Sequence, residues 1–337
     1  MNILITIPEG AVRDTFLPAP VLEALRQIGS VRMNDLGRQY TGEELKKAVS
    51  DAEIAVTGWG TPALRGETIE GNGTLRLIVH TGGSVADLVG ADTYEKGIRV
   101  LSGNRLYAES VAEGTIAYML AALRHIPDET AVIKNGGWKN AAFEYNEALL
   151  GREVGILGVG TIARDLMQML RAFRCTFRVW DNYRVDPAFL ASVHAEQCSM
   201  EEVLSSCRIV SIHAALNDST RGMIGKQELS LLPEGALLVN TSRGAILREA
   251  ELTELLEERP DLHAVLDVFE KEPLPADSRL RKLPNVYLMP HRAGPTVDYR
   301  AVIGKALAED ILHFTRGEEM THEIPWEAAA RMTTQKH

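Results

Sequence analysis

The stretch GILGVGTIA, residues 155–163, decides the fold, because it joins an apolar run to a helical pattern through closely spaced glycines. Gly158 permits a tight turn, Gly160 lets the backbone approach a phosphate group, and Ala163 is small enough for close packing of the helix on the strand. The N-terminus of the helix then offers free N–H groups to an anion. Plain turns carry similar glycine patterns, so the meaning of this stretch depends on the rest of the chain.

Asp181 ends the next predicted strand, 21 residues after Gly160. In dinucleotide-binding folds an acidic residue about 20 residues on accepts hydrogen bonds from the adenosine ribose hydroxyls. A carboxylate here repels a 2′-phosphate, and Asn182 rather than an arginine follows it, so NAD is favoured over NADP. Arg178 and Arg184, which are close in sequence, weigh against that preference. The alternative for Asp181 is a turn or helix-capping aspartate.

Apolar runs alternate with helical patterns on both sides of this loop. After residue 151 we predict strands at 154–158, 177–181, 208–213, 236–241, 263–269 and 285–289, and helices at 161–173, 200–206, 226–231 and 248–258. This alternation predicts a doubly wound parallel sheet of six strands. Before and after it we predict strands at 3–7, 54–59, 75–80 and 98–101, and helices at 20–28, 41–49, 109–124 and 297–315. A second parallel α/β unit follows from that pattern.

Chain length, net charge and cysteine content exclude several classes of function. A chain of 337 residues is long enough for two domains, and its net charge of −10, from 36 basic and 46 acidic residues, argues against nucleic acid or an anionic membrane as a partner. No apolar stretch reaches about 18 residues, so no membrane span is predicted, and the strand pattern NILITI starts at residue 2 without a basic segment before it, so no signal peptide is predicted. The three cysteines match no zinc pattern, which favours reduced thiols in a cytoplasmic protein without a metal.

Charged side chains follow three of the predicted strands. They are Arg243, Glu272 and His291, with Asp267 near the end of a strand. Because the carboxyl ends of parallel strands line one ligand crevice, all should lie at the edge that carries the glycine loop. Each residue alone is more often an ordinary surface charge or, for the histidine, a surface or core residue.

Five segments in order resemble the D-isomer-specific 2-hydroxyacid dehydrogenase family: GILGVGTIA (155–163), HAALNDSTRGMIG (213–225), LLVNTSRGAIL (237–247), LDVFEKEPLP (266–275) and MPHRAG (289–294). VAEGTIAYML (111–120) is similar more loosely. The resemblance implies a Rossmann NAD domain, 103–295, inserted into a smaller split flavodoxin-like substrate domain, 1–102 and 296–337. It also implies a homodimer and hydride transfer between nicotinamide and a small D-2-hydroxy acid or 2-keto acid.

Site residues follow from the same resemblance. Arg243, Glu272 and His291 correspond to the catalytic group: the histidine moves the proton, the glutamate orients it, and the arginine binds the substrate carboxylate or carbonyl oxygen. Implied cofactor contacts are Gly158, Gly160, Thr161, Ile162, Asp181, His213, Thr241, Ser242, Asp267, Ala293 and Gly294. For Asp267 the alternative is a buried acid satisfied by backbone N–H groups. The implied substrate-binding residues are Gly83, Ser84 and Val85, together with Arg243.

The loop TGGSVADLVGAD, residues 81–92, departs from the family pattern. Ser84 stands where glycine is usual, Ala86-Asp87 replace an acid and an amide, and Tyr107 replaces a common asparagine. Backbone N–H groups can still bind a carboxylate, but the neighbouring side chains reshape the substrate pocket. Two alternatives therefore stay open: an NAD(H)-sensing scaffold like the family's corepressors, and a dehydrogenase of this fold for another small anion such as phosphite.

Overall fold

The structure is a computed structural model that describes residues 1–139 and 146–334. It divides into two α/β units, one formed by Met1–Tyr107 and Pro295–His337 and the other by Ala108–Gly294. The second unit is thus inserted into the first. The expected boundaries fell at residues 102 and 295. The first unit instead extends to Tyr107, because a helix that begins at Asn104 carries the chain from one unit into the other.

Parallel strands form one sheet in each unit. In the first unit the order is β2-β1-β3-β4-β5, with β1 at Asn2–Pro8, β2 at Ser30–Asn34, β3 at Ile54–Thr57, β4 at Leu77–His80 and β5 at Arg99–Ser102. This is the flavodoxin-like order, as expected. The edge strand β2 was not predicted, because most of its residues are only partly buried and its sequence, SVRMN, lacks a continuous apolar run.

The sheet of the second unit has the order β12-β11-β10-β9-β6-β7-β8. Its strands are β6 at Glu153–Leu157, β7 at Thr176–Trp180, β8 at Ala195–Gln197, β9 at Ile209–Ile212, β10 at Leu237–Asn240, β11 at His263–Leu266 and β12 at Val286–Leu288. The order reverses between β6 and β9, which makes the carboxyl ends of these two strands the ligand crevice of a doubly wound sheet. The short edge strand β8 is a seventh strand beyond the six predicted.

Helices in chain order are α1 at Ala11–Phe16, α2 at Ala19–Ile28, α3 at Gly42–Val49, α4 at Ala91–Glu95, α5 at Asn104–Leu123, α6 at Ile126–Lys134, α7 at Thr161–Leu170, α8 at Pro187–Val193, α9 at Met200–Ser206, α10 at Lys226–Leu229, α11 at Glu249–Glu258, α12 at Val297–Arg316 and α13 at Trp326–Ala329. Short 3-10 helices lie at Gly66–Thr68, Arg171–Phe173, Gly244–Ile246 and Arg279–Lys282. Within the described part of the chain, none of the helices is both long and apolar enough to cross a bilayer.

Apolar side chains on both faces of each sheet form the cores. On β10, Leu238 packs into one hydrophobic cluster while Leu237 and Val239 pack into another. Burial on both faces explains why the strands read as continuous apolar runs rather than as alternating patterns. Polar residues lie mainly outside these cores, at the strand ends and in the loops that follow them. These strand ends and loops carry the candidate site.

Candidate active site

The glycine loop connects β6 to α7. Gly158 has φ 95°, and a Cβ there would lie 2.4 Å from the Cα of Ala214, so only glycine fits. Gly160 precedes α7, no side chain of the described residues caps the helix, and apart from its chain neighbours none of their atoms lies within 4 Å of where a Cβ of Gly160 would stand. Thr161 and Ile162 form the first helical turn. The loop therefore leaves open space in front of unpaired helical N–H groups, which suits a pyrophosphate.

Asp181 follows β7 and binds the glycine loop directly. Its Oδ2 accepts a hydrogen bond from the backbone N–H of Val159 at 2.7 Å, and its Oδ1 accepts one from Tyr183 at 2.9 Å. The turn role that the sequence left open is therefore present. Because a carboxylate has about four acceptor sites, these two bonds leave capacity for ribose hydroxyls.

His291 and Glu272 form a hydrogen-bonded pair. The imidazole Nδ1 lies 2.8 Å from Oε2 of Glu272, and Oε1 of the same carboxylate accepts from the N–H of Phe269 at 3.1 Å. Burial alone would raise the pKa of Glu272, but these hydrogen bonds, with the positive charges of His291 and Arg243, hold it below its ordinary value. The side chain of His291 is 46% exposed, and Glu272 engages only its Nδ1.

Asp267 holds the segment that carries His291. It is 1% exposed and lies just beyond β11, not inside a strand that continues to residue 269 as predicted. Its Oδ1 accepts from the N–H of Arg292 at 2.7 Å and from the hydroxyl of Tyr118 at 3.1 Å, and its Oδ2 accepts from the N–H of Ala293 at 3.0 Å. The carboxylate thus ties the end of β11 to the segment after His291. His291 itself adopts a left-handed conformation, φ 55°.

Arg243 lies on a loop that packs closely on the Glu272 segment. A Cβ at the next residue, Gly244, would lie 1.9 Å from the carbonyl carbon of Phe269, so only glycine permits this approach. The side chain of Asn240, at the end of β10, donates to the carbonyl of Arg243 at 3.1 Å. The charge of Arg243 lowers the pKa of Glu272. Arg243, Glu272 and His291 thus belong to one electrostatic group.

The other expected cofactor residues of this unit surround the same loops. Thr241 is buried and its hydroxyl lies 3.1 Å from that of Thr115, while the hydroxyl of Ser242 donates to the carbonyl of Ala214 at 2.5 Å. His213 is buried, its Nε2 lies 2.8 Å from the hydroxyl of Ser211, and burial lowers its pKa to about 4. Burial thus favours the neutral imidazole at this position. Gly294 has open space around its Cβ position.

The expected substrate-binding residues, Gly83, Ser84 and Val85, lie in the first unit. The hydroxyl of Ser102 donates to the carbonyls of Gly82 and Gly83 at 3.2 and 2.5 Å, and the hydroxyl of Ser84 donates to the carbonyl of Thr333 at 2.6 Å. These bonds use carbonyls and side chains. Within the described residues no acceptor binds the N–H groups of 83–85.

Helix α5 supplies residues that the sequence did not single out. Tyr118 binds Asp267, Thr115 contacts Thr241, and a Cβ at Gly114 would lie 2.9 Å from the carbonyl oxygen of Ala293. They lie in the VAEGTIAYML segment. Its looser similarity to the family was the one sequence feature that pointed to these residues. Their place beside the site depends on packing between distant segments, which no local pattern shows.

The sequence matches a known protein family. The domain described as "D-isomer specific 2-hydroxyacid dehydrogenase, NAD binding domain" matches residues 116–293. The D-3-phosphoglycerate dehydrogenase of Methanocaldococcus jannaschii is 32% identical over 319 residues, which cover 94% of this chain and 58% of that protein. The hydroxypyruvate reductase of Thermotoga maritima is 30% identical over 272 residues, 80% of this chain and 87% of that protein.

A solved structure shares the fold. The crystal structure of a glyoxylate reductase from Paecilomyes thermophila superposes with a TM-score of 0.81 at 23% identity, covering 97% of this chain and 99% of that one. The chain spans little more than half the length of the phosphoglycerate dehydrogenase that it matches. Residues 116–293 carry the family's nicotinamide dinucleotide-binding domain, and the chain belongs to the D-isomer specific 2-hydroxyacid dehydrogenase family.

Proposed function

We propose that the protein is an NAD-dependent oxidoreductase that transfers a hydride between nicotinamide and a small D-2-hydroxy acid or 2-keto acid. The observation that carries the proposal is the 2.8 Å pair of His291 and Glu272 on loops at the carboxyl edge of the doubly wound sheet. An imidazole held by a carboxylate on one nitrogen leaves the other free for a proton transfer.

His291 is the proposed general acid and base. In the reductive direction it gives a proton from Nε2 to the carbonyl oxygen of the keto acid, and in the oxidative direction it takes the proton from the hydroxyl. Glu272 fixes the ring through Nδ1 and stabilises the imidazolium, because its own carboxylate stays ionised. Nicotinamide, when bound, supplies or accepts the hydride.

Arg243 is the proposed group for the substrate carboxylate or carbonyl oxygen. Its planar guanidinium matches a carboxylate in a fork, and its positive charge stabilises negative charge that develops on the carbonyl oxygen during reduction. The N–H groups of Gly83, Ser84 and Val85, which bind no acceptor in the described residues, are the proposed partners of the substrate carboxylate.

The remaining cofactor contacts are also proposals. Gly158, Gly160, Thr161 and Ile162 would hold the pyrophosphate, and Asp181 the adenosine ribose, which makes NAD rather than NADP the preferred cofactor. Thr241, Ser242, His213, Asp267, Ala293 and Gly294 would line the nicotinamide side. A homodimer in the cytoplasm is proposed on the family resemblance and the free cysteines, and light scattering of the purified protein tests the dimer.

Turnover with a panel of 2-keto acids tests the proposed activity. Purified protein, NADH and each acid are mixed, and the loss of reduced-nicotinamide absorbance is followed. Turnover of at least one acid, with a D-configured hydroxy acid as product, is expected. Binding of NADH without turnover across the whole panel would instead favour a sensing scaffold. Reduction of NAD by phosphite, without turnover of any keto acid, would favour the other alternative.

A further inference from the structure

Three aromatic side chains and an arginine form a cluster in the first unit. Phe16 and Tyr107 stack with centroids 6.4 Å apart, and Trp59 meets both rings edge-on, at 5.4 and 6.2 Å. The guanidinium carbon of Arg300 lies 5.2 Å from the Trp59 centroid and 5.6 Å from that of Phe16. We call these four residues the Arg300 cluster.

Two polar atoms of the cluster lack partners. The hydroxyl of Tyr107 and Nε of Arg300 are buried, and neither makes a hydrogen bond within the described residues. Burial raises the pKa of Tyr107, and the nearby charge of Arg300 partly offsets this. A buried donor without an acceptor destabilises the folded state and is uncommon in proteins. Each of these two donors therefore calls for an explanation.

Arg300 also lacks a carboxylate. In the described residues no Asp or Glu oxygen lies within ion-pair distance of its guanidinium, and its one hydrogen bond is a long one, 3.5 Å from Nη1 to the hydroxyl of Thr15. The two cation–π contacts hold the group in place but do not satisfy the remaining N–H donors along its edge. That edge is left available for an anion, which a guanidinium binds best as a planar carboxylate.

The cluster adjoins the loop that we propose for substrate binding. A Cβ at Gly83 would lie 3.6 Å from the ring of Tyr107, so this ring packs directly against the loop. Tyr107 is also the residue that departs from the asparagine common in the family. Trp59 is 39% exposed, which opens the cluster to solvent. A group that binds at Gly83–Val85 and extends along the aromatic rings would therefore reach two unpartnered donors.

We propose that the Arg300 cluster binds a second carboxylate at the far end of the substrate, so that the preferred substrates are 2-keto or 2-hydroxy dicarboxylic acids. This inference rests on the proposed function and deepens it. Arg300 binds the distal carboxylate through its N–H edge, the hydroxyl of Tyr107 donates to the same group, and the aromatic rings pack along the intervening methylene groups. A monocarboxylic acid of the same length leaves both donors unpaired.

Binding of unreactive acids tests the proposal without turnover. Isothermal titration of the NAD-saturated protein compares glutarate with valerate, which have the same chain length but end in a carboxylate and a methyl group. Wild type should bind glutarate about tenfold or more tightly, and Arg300→Gln should remove that preference without changing valerate affinity. Arg26→Gln, at an exposed position of α2, is the control and should keep the preference. Equal wild-type affinity for the two acids would overturn the proposal.

Tyr107→Phe separates ligand binding from a structural role. If the hydroxyl serves the ligand, the variant without ligand should melt at the same temperature as wild type or higher, and should bind glutarate more weakly. A lower melting temperature with unchanged glutarate affinity would assign the hydroxyl to the fold and overturn its place in the proposal.

Turnover distinguishes failure of this inference from failure of the proposed function. kcat/KM is measured for 2-keto acids of four and five carbons that end in a carboxylate or in a methyl group. A preference for the dicarboxylates that Arg300→Gln abolishes is expected. Turnover without that preference would overturn the inference alone. Selective binding of glutarate with no turnover of any acid would overturn the proposed function and leave the binding site standing.

Discussion

His291 Nδ1 and Glu272 Oε2 lie 2.8 Å apart, although the two residues belong to different loops and are separated by 19 positions in the chain. Each partner is fixed independently. Glu272 accepts a hydrogen bond from the N–H of Phe269. The N–H of His291 donates to the carbonyl of Asp267, and the N–H of Arg292 donates to the carboxylate of Asp267. Two independently held groups keep the imidazole in one orientation, which proton transfer in a fixed direction requires.

Replacing His291 by alanine should reduce kcat by about 10² or more, because the proposed proton donor is removed. The affinity for NADH, measured by fluorescence titration, should stay unchanged. His194→Ala is the matched control, since His194 is also exposed and left-handed, with φ 58° against 55° for His291. A similar loss of kcat in both variants would point to backbone strain rather than to proton transfer.

Replacing Glu272 by glutamine should reduce the free energy of unfolding above pH 4.5. The difference from wild type should become smaller as the pH falls below 4.5. The pKa of Glu272 is lower in the folded protein than its ordinary value of 4.5. Its ionised form therefore stabilises the folded state above that pH, and this contribution is lost as the pH falls through the lowered pKa. Urea unfolding at several pH values measures the difference from wild type. Asp277→Asn, an exposed substitution on the same loop, is the control for removal of a negative charge.

Replacing Asp267 by asparagine should lower both stability and kcat. The amide sets an N–H group against one of the three donors that the carboxylate now accepts, at a cost of about 1–3 kcal/mol, and the 291–293 segment loses its anchor. Asp310→Asn is the control, because Asp310 is similarly buried and accepts from the N–H groups of Thr321 and His322. It should lose comparable stability in thermal melts but keep its kcat.

Replacing Gly160 by alanine should leave the fold intact and weaken NADH binding by about tenfold or more. The Cβ meets no protein atom within 4 Å, so the melting temperature should hardly change, but the methyl group enters the space proposed for the pyrophosphate. Gly73→Ala, which also meets nothing within 4 Å, should change neither property. Unchanged NADH affinity in the Gly160 variant would remove this loop from the proposed cofactor site.

Replacing Asp181 by asparagine should reduce the preference for NADH over NADPH by about tenfold. The carboxylate of Asp181 would repel the 2′-phosphate of NADPH, at a cost of several kcal/mol for like charges in contact, and the substitution removes the negative charge of the carboxylate. Steady-state kinetics with both cofactors gives the ratio. Asp186→Asn, at the N-terminus of α8 in the same connection, keeps the charge at 181 and should keep the ratio. A wild-type protein without any preference for NADH would contradict the ribose role.

Sequence periodicity anticipated most of the fold, because strands buried on both faces show as unbroken apolar runs. Helix α9 begins and ends where it was predicted, at Met200 and Ser206. Patterns failed where burial is partial and at the ends of strands. The edge strands β2 and β8 lack apolar runs, and β11 ends at Leu266 although the apolar pattern continues to residue 269.

The amino-acid sequence by itself determined the two parallel α/β units, the glycine loop and the family, because these follow from local patterns and from ordered motifs. Only the tertiary structure decided which side chains meet. Glu272 reaches His291, Tyr118 reaches Asp267, and Tyr107 and Arg300 share one aromatic cluster. Contacts of this kind depend on how segments that are distant in the chain pack against one another. Hydrophobic periodicity and turn chemistry are local and do not encode that packing.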